Sequence, residues 1–110
     1  MSKILVTGGA GFVGTNLIIE LQKLGHNLTS IDNYSIGTEE NHQRGVEYIN
    51  GDVTRINELK ENDFDLCYHL AGLSRIQPSF LQVEETFNTN TFGTLKVLDW
   101  ARKNKTKVIY

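Results

Sequence analysis

The sequence has 110 residues, a formal net charge of −2 at pH 7 and 39% hydrophobic residues, which is typical of one globular domain and excludes a disordered chain. The small negative charge gives no electrostatic basis for binding nucleic acid. A single cysteine, Cys67, excludes a disulfide framework within the chain, and because it lies in an apolar run we expect an inert core thiol. Since there is no signal peptide and no apolar run near the ~18 residues of a membrane span, we expect a soluble, cytoplasmic protein.

Short apolar segments alternate along the chain with segments of helical periodicity. These patterns predict strands over 3–7, 27–32, 46–49 and 65–71, and a fifth from 108 to the end. Helices are predicted over 12–24, 55–60 and 78–103, and the polar stretch 33–44 predicts a loop with one helical turn. The buried stripe of the long helix is expected to consist of Phe80, Val83, Phe87, Thr91, Thr94, Leu95, Leu98 and Ala101.

The alternation of strands and helices predicts an α/β protein with a three-layer Rossmann fold. Continuously apolar strands indicate a parallel sheet covered by helices on both faces, and right-handed crossovers favour the strand order 3-2-1-4-5. Ligands of such sheets bind at the carboxyl ends of the strands where the order reverses, here between strands 1 and 4. Because the sequence stops as the fifth strand begins, we expect residues 1–110 to form one incomplete domain.

The glycine-rich turn after the first strand is the strongest functional signal. Gly8, Gly11 and Gly14 are spaced three residues apart between a strand and an amphipathic helix. In that context the first glycine permits a tight turn, the second permits close approach of a pyrophosphate, and the third permits close helix packing. A helix-capping turn without a ligand is the alternative. A phosphate loop of the Walker type is excluded, because no Lys-Ser/Thr pair follows the glycines.

Two acidic residues end the second and third strands. Asp32 can accept hydrogen bonds from the ribose hydroxyls of an adenosine and would repel a 2′-phosphate, which favours NAD over NADP. The alternative for Asp32 is a solvated aspartate in a turn. Asp52 can accept from the adenine amino group while Val53 packs on the ring, or it can cap the short helix that follows. The three histidines are widely separated and show no metal-ligand spacing, so no metal site is predicted, and His69 is interpreted as a packed histidine near the cofactor.

Five motifs occur in order: TGGAGFVG, DNYSIG, GDV, HLAG followed by SRIQPSF, and NTFGT. Together they resemble the amino-terminal half of the extended short-chain dehydrogenase/reductases, in particular the NAD-dependent sugar-nucleotide epimerases and dehydratases of the UDP-glucose 4-epimerase type. The resemblance covers all 110 residues. A nucleotide-fold methyltransferase shares the glycine turn and the acidic strand end, but HLAG and NTFGT do not fit it.

The resemblance implies NAD as the cofactor and assigns residues to each part of it. Those implied for the pyrophosphate are Gly8, Gly11, Phe12, Val13 and Gly14. Those implied for the adenosine half are Asp32 and Asn33 at the ribose, Ser35 near the phosphate, and Asp52 and Val53 at the adenine. Those implied for the cofactor trench and its nicotinamide side are Leu70, Ala71, Gly72, Ser74 and Asn90.

The family's catalytic residues are a tyrosine, a lysine four residues later, and a serine or threonine. No Tyr-x-x-x-Lys occurs in this sequence, so we predict no catalytic residue and no activity for these 110 residues alone. The expected function is the NAD-binding part of such an enzyme, with the sugar nucleotide bound only by a full-length protein. The alternative is a non-catalytic nucleotide-sensing or assembly module. Expected partners are NAD or an adenine nucleotide and a second copy of the chain, contacted through the long helix or the edge of strand 5, with no nucleic acid or membrane.

Overall fold

The computed structural model describes residues 2–34, 37–61, 63–71 and 83–109, with side chains in the last range described from residue 92 onward. The strands are β1 (Lys3–Thr7), β2 (Asn27–Asp32), β3 (Glu47–Asn50), β4 (Leu66–His69) and β5 (Lys107–Ile109). The α-helices are α1 (Phe12–Lys23) and α2 (Val83–Asn104), and two 3₁₀ helices span Glu39–Asn41 and Val53–Glu58. The five strands form one parallel sheet in the order β3-β2-β1-β4-β5, which confirms the predicted topology.

The predicted element bounds differ from the observed ones mainly around the third and fourth strands. β3 lies one residue later than predicted, and β4 is shorter than the predicted 65–71 at both ends. The short helix predicted over 55–60 begins two residues earlier, because the Asp52 side chain caps its first turn. The predicted helix start at 78–82 and the end of the last strand at residue 110 lie outside the described residues.

The core has two layers because alternate side chains of β1 point to opposite faces of the sheet. On one face Leu5 packs with Cys67 of β4 and with Val97 and Trp100 of α2. On the other face Ile4 and Val6 pack against Ile18 and Leu21 of α1. Cys67 is fully buried, and burial raises the pKa of its thiol to about 12. The thiol is therefore unreactive.

The buried face of α2 differs from the predicted stripe. Leu95 and Leu98 belong to the predicted stripe but are exposed, as is Phe92. The buried positions follow the helical repeat from Gly93 and are Gly93, Val97, Trp100 and Ala101. A methyl group at Gly93 would lie 2.9 Å from Val53 Cγ2, so this glycine lets α2 pack closely on the 3₁₀ helix. The side chains of Val83, Phe87 and Thr91 are not described, and Phe80 lies outside the described residues.

No helix among the described residues is both long enough and apolar enough to cross a membrane.

Val97 and Val13 allow the packing of α2 to be tested with identical substitutions. Val97 is fully buried, whereas Val13 is 59% exposed in the first turn of α1. We expect Val97→Ala to lower the free energy of unfolding by about 2 kcal/mol through lost burial and a residual cavity. Val13→Ala should change it by no more than about 0.5 kcal/mol. Urea denaturation measures both, and equal effects would contradict the assigned face of α2.

Candidate functional site

The candidate site lies at the carboxyl ends of β2, β1 and β4, where the chain turns from β1 into α1. The amide of Gly8 donates to the carbonyl oxygen of Ile31 at the end of β2 (2.8 Å). On the other side the amide of Leu70, just after β4, donates to the carbonyl oxygen of Thr7 (3.0 Å). The glycine turn is therefore held between its two neighbouring strands, at the point where the strand order reverses.

The three predicted glycines are required for different physical reasons. Gly8 has φ of +76°, and a Cβ there would lie 2.9 Å from the carbonyl oxygen of Leu70. A Cβ at Gly14 would collide with the carbonyl oxygen of Gly8, so this glycine brings α1 against the turn. Gly11 is different, because its nearest neighbour is an ordinary contact at 3.5 Å and its φ is −81°. Packing among the described residues does not require a glycine at position 11, which leaves room for a ligand beside its backbone.

The first turn of α1 presents uncapped amides to this open space. Gly11 is the N-cap residue and provides no side-chain cap, and no acidic residue lies in the first turn. The first amides of a helix have no acceptor within it and lie at the positive end of its dipole. The adjoining side chains of Phe12 and Val13 are 82% and 59% exposed. The arrangement suits a phosphate group approaching the backbone.

Asp32 ties the end of β2 to the glycine turn. Its Oδ2 accepts from the amide of Ala10 (3.0 Å) and its Oδ1 accepts from the amide of Tyr34 (2.8 Å). The residue is only 8% exposed, so the alternative of a solvated turn aspartate is wrong. Each carboxylate oxygen can accept two hydrogen bonds, so each keeps one acceptor position beyond the bonds that the described residues make to it.

The loop after β2 packs on the same turn through Ala10. The Ala10 carbonyl oxygen accepts from the amide of Thr38 (3.2 Å) and from Nδ2 of Asn41 (2.7 Å). A Cβ at Gly37 would lie 2.8 Å from both the Ala10 carbonyl carbon and Asp32 Oδ2. The sequence analysis missed Gly37 and Asn41, because their importance comes from contact with a residue about 30 positions away in the chain.

Asp52 acts as a helix cap in this structure. Its Oδ1 accepts from the amide and the hydroxyl of Thr54, both at 2.9 Å, at the start of the 3₁₀ helix. The carboxylate is exposed, and Val53 beside it is half-buried against the core and α2. The capping alternative for Asp52 is therefore observed, and capping leaves the exposed carboxylate available to a second hydrogen-bond donor.

The remaining predicted residues fall into two groups. Asn33 follows β2 at an exposed position, and Leu70 and Ala71 follow β4 beside the glycine turn and are half-buried. Ser35, Gly72 and Ser74 lie outside the described residues. Asn90 lies on α2, but its side chain is not described.

Ser30 and Gly9 form a tight contact beneath the turn that the sequence analysis also missed. A Cβ at Gly9 would overlap the Ser30 hydroxyl, so Gly9 must be a glycine for packing alone. Ser30 is fully buried, and its Oγ is the buried side-chain polar atom of the described residues that has no hydrogen-bond partner. An unsatisfied buried hydroxyl is destabilising.

The described residues contain no group of three or more His, Cys, Asp or Glu side chains placed to hold a metal ion. They also line a partly open cavity of about 330 Å³ beside β2 and β3. Its lining includes Thr29, Ile49, Leu59 and Phe64, and none of the predicted site residues.

The unpaired hydroxyl of Ser30 gives a direct stability prediction. We expect Ser30→Ala to raise the free energy of unfolding by roughly 1 kcal/mol, because it removes a buried polar atom that has no partner. Thermal or urea denaturation of both proteins measures the change. A loss of stability of similar size would contradict the absence of a hydrogen-bond partner for this hydroxyl.

Comparison with known proteins agrees with the dinucleotide-type fold and glycine turn described above. The model of the NAD dependent epimerase/dehydratase family matches residues 4–110. A UDP-N-acetyl-alpha-D-glucosaminuronate decarboxylase from Bacillus cytotoxicus is 34% identical over 98% of this chain and 35% of its own length. A UDP-glucose 4-epimerase from Corynebacterium glutamicum is 37% identical over 91% of this chain and 31% of its own length.

Solved structures of epimerases also resemble the chain. A UDP-galactose 4-epimerase superposes with a TM-score of 0.84 at 31% identity, covering 96% of this chain and 36% of that one. A UDP-glucose 4-epimerase from Bifidobacterium longum, in complex with NAD+ and UDP, gives a TM-score of 0.83 at 31% identity, covering 97% and 36% of the two chains. The chain thus spans about a third of the length of the relatives that it matches. With a family model that covers nearly all of its residues, the chain belongs to the NAD-dependent epimerase/dehydratase family.

Proposed function

We propose that this chain binds NAD at the glycine turn and forms the dinucleotide-binding part of a sugar-nucleotide epimerase or dehydratase. The observation that carries the proposal is Gly11, whose missing side chain serves no packing purpose and opens the uncapped amides of α1 to a ligand. Gly8 and Gly14, by contrast, shape the turn itself. The pyrophosphate of NAD then binds the amides of the first turn, with Phe12 and Val13 flanking it.

Asp32 supplies the selectivity of the proposed site. Its carboxylate is held in place by the amides of Ala10 and Tyr34, and its remaining acceptor positions suit the two hydroxyls of the adenosine ribose. A 2′-phosphate at that place would be repelled by the carboxylate, so we expect NAD to bind in preference to NADP. Asn33 adjoins the same ribose in this proposal, and Asp52 and Val53 adjoin the adenine.

The nicotinamide side of the proposed site is formed by the residues that follow β4. Leu70 and Ala71 lie against the turn and would line the cofactor trench. Four further residues are proposed for the site on the basis of the sequence alone: Ser35, Gly72, Ser74 and Asn90.

In the whole protein, bound NAD would supply a reversible hydride acceptor. The residues of this chain bind and orient it, and we assign none of them a catalytic role because the sequence contains no Tyr-x-x-x-Lys. Relatives named as acting on UDP-sugars support a sugar nucleotide as the substrate of the whole protein.

Two glycine substitutions separate binding from folding. Gly11→Ala can adopt the observed φ of −81° without a close contact, so we expect a folded protein of nearly unchanged stability. Its added methyl group obstructs the pyrophosphate, and we expect NAD affinity to fall by at least about tenfold, equivalent to roughly 1.4 kcal/mol. Gly14→Ala should instead destabilise the fold, because its methyl group meets the carbonyl oxygen of Gly8.

Isothermal titration calorimetry with NAD, together with thermal unfolding, measures both effects. A wild-type chain that binds no NAD at millimolar concentration contradicts the proposal, as does undiminished binding by the folded Gly11→Ala variant.

A second candidate function, self-association, is favoured by the outer face of α2. This face carries Phe92, Leu95 and Leu98, which are 51%, 59% and 36% exposed. Three large apolar side chains spaced three residues apart on one helix form a stripe that a second copy of the same helix can cover. We therefore propose an assembly role for the outer face of α2 that does not exclude NAD binding at the glycine turn.

The assembly proposal is tested by placing one charge on this face. We expect the wild-type chain to form dimers in sedimentation equilibrium, and Leu95→Glu to shift the protein to monomer, because a carboxylate buried between two helices is strongly unfavourable. Leu24→Glu is the control, since Leu24 is 72% exposed at the end of α1, away from the proposed face. A wild-type chain that stays monomeric at high concentration would refute the proposal.

A further inference from the structure

Four hydrogen bonds join β1, the exit of β4 and α2 at the candidate site. The hydroxyl of Thr7 lies 2.7 Å from Nδ1 of His69, and it accepts from the amides of Leu70 (2.9 Å) and Ala71 (3.1 Å). Nε2 of His69 lies 3.0 Å from the hydroxyl of Thr94 on α2. Thr7 is fully buried and His69 is 9% exposed, so most of this network is shielded from bulk water.

The donors and acceptors around Thr7 indicate which ring nitrogen carries the proton. A hydroxyl oxygen has two acceptor positions. On Thr7 the Ala71 amide occupies one of them, and the Leu70 amide, which is shared with the Thr7 carbonyl oxygen (3.0 Å), approaches the other. Thr7 must therefore donate its own proton to His69, which makes Nδ1 a bare acceptor. The imidazole is then neutral with its proton on Nε2, from which it donates to Thr94. A proton added to Nδ1 would face an oxygen with no free acceptor position.

We propose that His69 is a positioning residue whose neutral ring holds the Leu70 and Ala71 amides in place through Thr7, and whose protonation releases their hydrogen bonds to the Thr7 hydroxyl and weakens dinucleotide binding. This inference rests on the proposed NAD-binding function. The released segment lies directly against the turn, since the Leu70 carbonyl oxygen would be 2.9 Å from a Cβ at Gly8. A displacement of Leu70 is therefore transmitted to the first residue of the glycine turn.

The surroundings of His69 favour the neutral ring. Burial lowers the pKa of His69 below its usual value. The described groups that face the ring are the hydroxyls of Thr7 from β1 and Thr94 from α2, and no charged side chain of the described residues contributes to the pKa shift. Because the folded-state pKa is depressed, the neutral ring stabilises the fold above the usual histidine pKa of about 6.5, and this contribution is lost as pH falls through the lower folded value.

A pH titration of the wild-type chain tests the proposal without any substitution. We expect NAD affinity to be constant above pH ~7 and to fall by up to about tenfold per pH unit below the His69 pKa, the limit for one linked proton. The ring protons of His69 and the amide resonances of Leu70 and Ala71, followed by NMR without NAD, should titrate with that same midpoint. Midpoints that instead match His26 or His42, or amides that do not respond, would overturn the proposal.

Two amide substitutions distinguish this role from simple packing. His69→Asn keeps an acceptor near the Thr7 hydroxyl, whereas His69→Gln keeps a donor near Thr94 and lacks that acceptor. We expect His69→Asn to bind NAD within about threefold of the wild type and without the pH dependence, and His69→Gln to bind at least tenfold more weakly at every pH. If His69 only filled space, the larger Gln would be the better replacement, and that order of affinities would refute the proposal.

Failure of the two proposals can be told apart. A wild-type chain that binds no NAD at pH 8 contradicts the proposed function, whereas the response of the Leu70 and Ala71 amides to pH is measured without a ligand and tests the role of His69 alone.

Discussion

The hydrogen bond from the amide of Ala10 to the carboxylate of Asp32 is the interaction on which the candidate site depends. It is buried, 3.0 Å long, and joins the alanine of the Gly-Gly-Ala-Gly turn to the end of the neighbouring strand. The same alanine accepts two further hydrogen bonds from the loop at Thr38 and Asn41. The path of the turn, and with it the direction of the α1 amides, is thereby set by the strand end that carries the carboxylate. One aspartate thus shapes the phosphate site and faces the proposed ribose position.

The rest of the site depends on glycines, whose missing side chains allow close contacts. Glycines at positions 8, 9, 14 and 37 allow close contacts of the turn with α1, with the ends of β2 and β4 and with the loop after β2, and in each case a Cβ would lie within 3 Å of another atom. Gly11 differs from these four, because among the described residues a Cβ there would make only an ordinary contact, 3.5 Å from the carbonyl oxygen of Gly8. Close packing below the turn and open space above it are what a bound pyrophosphate requires of a helix N-terminus.

Much of this architecture could be predicted from the sequence, because it depends on local patterns. The strand order follows from apolar strands alternating with helices, and the bounds of β1 and β2 from runs closed by Gly8 and Asp32. The face of α2 could not be predicted from periodicity, since α2 has apolar residues on two sides. Only tertiary packing selects Val97 and Trp100 over Leu95 and Leu98.

The parts of the site that were missed share a different property. Gly9, Gly37 and Thr7 act through residues more than 20 positions away in the chain, namely Ser30, Ala10 and His69. No local spacing connects such pairs, so a sequence pattern can indicate His69 as a packed histidine but not which nitrogen carries its proton. The two bonds that Thr7 accepts from Leu70 and Ala71 determine that, and they exist only once β1 and β4 are paired.

The central claim is that the backbone amides at the start of α1 receive the pyrophosphate of NAD. An NMR titration of the ¹⁵N-labelled chain with ADP, which carries the adenosine and both phosphates, tests it most directly. The account predicts the largest amide shift changes at residues 11–14, with smaller changes at residues 32–34 beside the ribose. Changes confined to other parts of the molecule, such as the cavity lined by Thr29, Ile49 and Phe64, or no changes at millimolar ADP, would contradict it.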